Sequence, residues 1–392
     1  MNLTINTDGM PIHYIDDELS FNSLCKQWMS CDALAIDTEF VRTNTFYAKI
    51  GLLQIADLEN CYLIDPLEIG DWNAFSNLLA NSSCTFVIHS CSEDLNLLQT
   101  FLGVLPAKTF DTQLAAAFLG LGFSVSYQSL VAELIGIDVA KDETRSDWTK
   151  RPLTESQLHY AATDVRYLLE LHSLLHNQLD QKGMLQWFFS ECEQQTKVAI
   201  ESEIEKNWEA YYANFGNAWR LNDWGVEILQ KLCYWREQKA RARNKPRSWI
   251  VKDNDLLNLA EILSKSNELS LELFKSAEEV DSRFLSRYSG ELLGVLTDAK
   301  EDLQPINREL LNKPLGSQFR KKLKHCQKVV NLKAEGLEMA PEILGRKKQL
   351  LEFLRNFQAT GQVQWSGELA GWRRGILESE FTAIMSDEKQ NE

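Results

Sequence analysis

Strand patterns stop at about Trp219, and that change constrains the fold more than any other feature of the sequence. Before it, short apolar runs alternate with helical periodicity. Ala33–Phe40 (ALAIDTEF), Ile50–Ala56 (IGLLQIA), Cys61–Asp65 (CYLID) and Thr85–His89 (TFVIH) read as strands, the middle two joined by a turn across Asp57-Leu58-Glu59-Asn60. Helical patterns cover Ser92–Phe101, Asp111–Leu119, Val125–Ile135 closed by Gly136, and a long stretch from about Glu155 to Asp180. Thr154 with Gln157 forms the capping box of that last helix. The front half is therefore an α/β domain with a mixed sheet. After Trp219 only helices remain: Leu221–Arg243, broken by Lys245-Pro246-Arg247, then short helices and a second all-helical stretch from near Pro305. The expected division is 1–190, a helical linker 191–215, a first helical domain 216–300, a second 301–386 and a disordered tail 387–392.

The whole chain has 41 Lys+Arg and 56 Asp+Glu, a net charge of −15. The imbalance sits in front: residues 1–218 hold 12 basic and 30 acidic residues, whereas 219–300 hold 14 and 13 and 301–392 hold 15 and 13. An acidic front can be a metal-dependent catalyst, and near-neutral modules behind it can grip a polyanion. No apolar run approaches the length that spans a bilayer. The N-terminus lacks the basic start and apolar core of a signal peptide, and the eight cysteines contain no CxxC pair. A reducing cytoplasm is the expected compartment.

Four carboxylates carry the chemistry. Asp37 and Glu39 lie two apart on a strand, so both face the same side. They repel one another unless a cation neutralises them, and oxygen ligands suit Mg²⁺ or Mn²⁺. Asp94 opens a helix after the fourth strand, with Ser92 the expected N-cap. Tyr160 and Asp164 stand i, i+4 on one helix face. Taken singly, each acid is also an ordinary solvated or helix-capping residue. His159 offers a competing proton-handling group, but on a continuous helix it points about 100° away from Tyr160.

That order of carboxylates resembles the DEDD 3′–5′ exonucleases, and the Tyr-x3-Asp form resembles their tyrosine subgroup. The stretches DTEFVR (37–42), GLLQIAD (51–57), LIDP (63–66), HSCSEDL (89–95), DTQLAAAF (111–118), SDWTKRPLT (146–154) and YAATDVRYLL (160–169) are similar to the ribonuclease D family. The run WREQKARARNK (235–245) resembles the helicase-and-ribonuclease-D C-terminal (HRDC) module. The resemblance implies a ribonuclease H-like exonuclease domain followed by two HRDC-like domains. It implies that Asp37, Glu39, Asp94 and Asp164 bind two divalent ions, Mg²⁺ or Mn²⁺, while Tyr160 orients the attacking water. The reaction implied is hydrolysis from a free RNA 3′ end with release of nucleoside 5′-monophosphates, in maturation of tRNA precursors and other small structured RNAs. No obligate protein partner is implied. The alternatives are a DNA-directed exonuclease of the same superfamily and a non-catalytic RNA-binding scaffold, which would need a broken carboxylate set.

Other residues carry weaker signals. Trp148 borders the terminal nucleotide or packs the catalytic helix; Cys91, Glu93, Asp111, His172 and His176 read as structural. For RNA binding the candidates are Arg236, Lys239, Arg241, Arg243, Lys245 and Arg247, flanked by Trp235 and Trp249. Arg320, Lys321, Lys322 and Lys324 form a second cluster.

Overall fold

The structure is a computed structural model and describes residues 4–7, 9–139, 146–266, 268–298 and 303–387. Residues 388–392 of the expected tail and the expected boundary at 300/301 lie outside the described residues.

Seven strands form one mixed sheet: β1 (Thr4–Thr7), β2 (Met10–Ile15), β3 (Ala33–Val41), β4 (Lys49–Ala56), β5 (Cys61–Ile64), β6 (Thr85–Ile88) and β7 (Thr109–Asp111), in the order β1-β2-β5-β4-β3-β6-β7. β3 pairs antiparallel with β4 and parallel with β6, placing the strand of Asp37 and Glu39 inside the sheet, next to the central strand β4. Because β3 alternates, Ala35 and Asp37 share one face while Leu34, Ile36 and Thr38 share the other. One face buries Ile36, Leu53, Ile55 and Phe86 against the helices Glu18–Trp28, Asn73–Leu79 and Ser92–Leu102. The other buries Ala35, Leu52, Leu63 and Phe110 beneath the helix Glu155–Arg166 and its neighbours.

The sequence reading did not include β1 and β2. Their signal was present: the sequence carries Asp-Gly at positions 8–9, Thr7 pairs with Met10, and Gly9 has φ +91°. The long helix expected from Glu155 to Asp180 is two helices, Glu155–Arg166 and Leu168–Gln181. The Tyr127 hydroxyl intrudes into the ladder between them. It donates to the Thr163 carbonyl at 2.7 Å and accepts from the Tyr167 N–H at 3.1 Å, the two groups that would otherwise bond each other.

The two parts of the helical half pack against different cores. The first has its own core around Val226, Leu229, Leu232, Leu256, Phe274 and Leu292. Leu311 completes that core, and Arg308 pairs with Asp223 at 2.8 Å. The later helices Ser317–Leu337, Lys347–Thr360 and Trp372–Ser386 instead share one continuous core with the exonuclease sheet. Trp372 stacks on Trp187 at 4.9 Å, and Arg373 grips the Glu191 carboxylate at 2.5 and 2.6 Å. Gly120 has φ +77°, and a Cβ there would stand 2.7 Å from the Glu338 carbonyl, so only glycine admits this approach. The helix Leu185–Ser202 crosses the expected boundary at 190 and buries Phe188, Cys192 and Ala199. Cutting the chain near 219 would therefore uncover part of the exonuclease core, so binding is better dissected by surface substitutions.

Candidate active site

Asp37 and Glu39 leave the interior strand β3 on the face covered by the helix Glu155–Arg166. That helix begins at the Thr154–Gln157 capping box expected from sequence, which sets the register of Tyr160 and Asp164. One carboxylate oxygen from each of Asp37, Glu39 and Asp164 lies within 4.8 Å of the others. All three are half-buried. The Tyr160 hydroxyl hydrogen-bonds the Asp164 carboxylate, so Tyr160 and not His159 faces the acids.

Asp94 approaches from the opposite face of the sheet. The helix Ser92–Leu102 places it in the first turn, though the capping position is Cys91 rather than Ser92 and bears no side-chain cap. Asp94 is 6% exposed and accepts a hydrogen bond from Thr38 Oγ1, the residue between Asp37 and Glu39. It stands outside the group of three but close enough to raise the Glu39 pKa through its charge.

The electrostatics describe a site built for cations. Burial, then the charge of Asp164, pushes Asp37 well above the usual carboxylate range. Burial, then Asp37, Asp164 and Asp94, pushes Glu39 up to about 9. Asp94 and Asp164 are also raised, chiefly by burial, with the Tyr160 hydrogen bond opposing the rise at Asp164. Burial and the neighbouring carboxylates raise Tyr160, so it stays protonated at neutral pH. Clustered oxygen donors that destabilise their own charged forms fit hard divalent cations.

The surrounding motifs become supports. Gly51 lies against Trp148, where a Cβ would come within 2.6 Å of the Trp148 Cβ and carbonyl oxygen. Trp148 is buried with its ring 6.1 Å from that of Tyr160, which makes it a packing residue. Arg151 donates to Asp65 at 2.5 and 2.6 Å and to the Gly51 carbonyl at 2.6 Å, joining the LIDP and SDWTKRPLT segments. Asp111 accepts from the N–H groups of Ser90, Cys91, Gln113 and Leu114, and Glu93 pairs with Arg42 at 3.0 Å. Cys91 is buried in the core, while His172 packs edge-on against Phe110. Sequence reasoning missed Gln54, the cross-strand neighbour of Asp37 inside GLLQIAD. It is fully buried, and among the described residues neither side-chain polar atom has a partner.

The basic candidates divide. Arg236 is 1% exposed and bonds Asp253 at 2.6 Å and the Val251 carbonyl at 3.2 Å. Arg241 and Arg247 both grip Glu237, which is fully buried. Lys239 pairs with Glu291 at 2.8 Å. Lys322 donates to the Ile384 and Met385 carbonyls at 2.5 and 2.9 Å, closing the last helix. In these five, neighbouring acids, of which only Glu237 is buried, and backbone carbonyls take up donors. Arg243, Lys245, Arg320, Lys321 and Lys324 are exposed, and Lys245 lies 5.6 Å from the ring of exposed Trp249.

The family model described as 3′-5′ exonuclease matches residues 12–180, and the HRDC domain model matches 226–296. The chain is 37% identical over 363 residues to ribonuclease D of Pseudomonas paraeruginosa (strain DSM 24068 / PA7), covering 93% of this chain and 94% of that one. It is 32% identical over 387 residues to ribonuclease D of Escherichia coli (strain K12), covering 96% and 98%. The crystal structure of Escherichia coli RNase D, described as an exoribonuclease involved in structured RNA processing, superposes with a TM-score of 0.83 at 30% identity, covering 97% of this chain and all of that one.

Proposed function

The chain belongs to the ribonuclease D family and is a 3′–5′ exoribonuclease; from that premise we propose how its residues act and on what. Asp37, Glu39, Asp94 and Asp164 are the ligand carboxylates, and Tyr160 positions the attacking water. The observation that carries this reading is the convergence of three carboxylate oxygens within 4.8 Å beside the Tyr160–Asp164 hydrogen bond. Two divalent cations, Mg²⁺ or Mn²⁺, held there would neutralise the phosphodiester, activate water and stabilise the departing 3′ oxygen. The protonated Tyr160 donates to Asp164, which leaves its oxygen lone pair to receive the water and orient it in line with the terminal phosphate. The products are nucleoside 5′-monophosphates.

The substrates are tRNA precursors and other small structured RNAs, since the related Escherichia coli enzyme is involved in structured RNA processing. Exposed Arg243 and Lys245, with Trp249 as a stacking surface, and the cluster Arg320, Lys321 and Lys324 take the strand's phosphates and bases. A cytoplasmic setting agrees with eight free thiols. Among the described residues no helix is long and apolar enough to cross a membrane.

The test is a 5′-labelled tRNA precursor incubated with Mg²⁺, Mn²⁺ or EDTA and resolved on a gel, beside matched RNA and DNA oligonucleotides. Stepwise 3′ shortening of RNA with either cation and none with EDTA is expected. Equal or faster loss of DNA would transfer the enzyme to the DNA-directed branch. In the same assay Tyr160→Phe is expected to be ~10²-fold slower, the scale of a lost proton-handling group. His159→Ala should stay near wild type, and a reversal of those two results would reassign the water to His159.

A further inference from the structure

The loop Arg42–Ala48 joins β3 to β4, and it begins three residues after Glu39. Its pairing is short. The β3–β4 register shifts between Glu39 and Phe40, and beyond that bulge only Phe40–Ile50 and Val41–Lys49 pair. The extra residue of the bulge is Gly51 on β4, so the ladder is interrupted beside the Glu39–Leu52 pair and the end of β3 that carries Glu39 depends on how the loop is held. Two residue pairs closing a seven-residue loop would fray without further support.

That support comes from the first helical module, some two hundred residues away in sequence. Asn244 Oδ1 accepts from both the Phe46 and Tyr47 N–H groups, each at 3.0 Å. Asn244 sits just past the helix Asp223–Ala242 with φ +46°, a left-handed conformation that asparagine tolerates better than most residues. The Phe46 ring lies between the guanidinium groups of Arg241 and Arg247, at 4.5 and 4.7 Å. At its other end the loop reaches the Asp94 helix through Arg42 and Glu93.

We propose that Asn244 is a positioning residue of the catalytic centre: by capturing the Phe46 and Tyr47 N–H groups it fixes the β3–β4 loop, and through the end of β3 it steadies the Glu39 carboxylate. The inference rests on the reading of Glu39 as a ligand carboxylate. It gives the helical module a task beyond holding RNA, because the clamp acts equally on substrates too short to touch the module.

The full-length enzyme tests it with Asn244→Gly and Asn244→Asp. Glycine accepts the left-handed backbone but removes the acceptor, whereas aspartate keeps both. A labelled RNA trinucleotide and a 20-nucleotide RNA are the substrates. Asn244→Gly is expected to lower kcat roughly ten- to a hundredfold on both, the scale of a small misplacement at a reacting centre. KM for the longer RNA should stay within about twofold, and Asn244→Asp should restore kcat. Amide hydrogen exchange over 40–48 should accelerate in the glycine variant alone, and its Mn²⁺ affinity by calorimetry should fall. An unchanged kcat on the trinucleotide, or unchanged exchange in the loop, would overturn the clamp. Glu39→Gln measured alongside separates the two readings: near-normal hydrolysis there would overturn the site itself, while an inactive Glu39→Gln beside a normal Asn244→Gly would remove only the clamp.

Discussion

Asp37→Asn is expected to slow hydrolysis of an RNA 3′ end by roughly three orders of magnitude or more, because the residue acts as one member of a unit. Asparagine keeps the size and shape of the side chain, so the effect is one of charge and ligand chemistry. The same substitution should stabilise the cation-free protein. Asp37 faces Glu39 and Asp164 within 4.8 Å; burial raises all three carboxyl groups, and the neighbouring charges add to the rise at Asp37 and Glu39. A group whose folded-state pKa is raised contributes stability that is present below the unfolded value and is lost as pH rises through the folded value. The wild type should therefore lose stability from the ordinary carboxylate range upward to about 9, the value of Glu39. The variant lacks one of the repelling charges and should lose less. Its melting temperature is expected to match the wild type near pH 4 and to exceed it increasingly above pH 6. Mn²⁺ should reverse that order, since only the intact set binds it tightly and binding stabilises the folded state. Near-normal turnover at saturating cation, or a variant that melts below the cation-free wild type at pH 8, would refute the assignment.

The carboxylates were legible because their geometry is local. A two-residue spacing on a strand puts Asp37 and Glu39 on one face, and a four-residue spacing on a helix aligns Tyr160 with Asp164. The break at Tyr167 was not legible, since its cause is a hydroxyl from Tyr127, forty residues earlier, inserted into the helix. The partners of the basic run 236–247 were not legible for a similar reason. Composition shows six cations in twelve residues, but Arg236 and Arg241 meet Asp253, Phe46 and Trp208 from other segments. Nor could helical periodicity show that the last helices cover the exonuclease core. An apolar helix face reads the same whether it packs on its own module or on a sheet.

Glu237 offers the sharpest contrast between a surface for RNA and a structural network. Its carboxylate is fully buried and receives Arg241 and Arg247, the latter also at 2.7 Å through Nη2. Those guanidinium groups in turn hold Phe46, and Arg241 stacks on Trp208 at 3.8 Å. Glu237→Ala removes the buried acid that both cations share, leaving Arg247 without it and Arg241 with only Glu203 at 3.7 Å. Breaking a buried pair in this way costs about 3–5 kcal/mol, mostly from the charge left without a partner. Guanidinium unfolding followed by tryptophan fluorescence should show the first helical module melting at lower denaturant. The exonuclease core, which is separate from this cluster, should unfold near its usual midpoint. The double variant Glu237→Ala/Arg241→Ala should lose less than the sum of its single changes, because the pair fails together. A surface reading predicts the opposite: deleting an acid from an RNA-binding run would strengthen RNA affinity and steepen its salt dependence while leaving stability nearly untouched. Tighter RNA binding with less than about 1 kcal/mol of destabilisation would return Arg241 and Arg247 to the RNA.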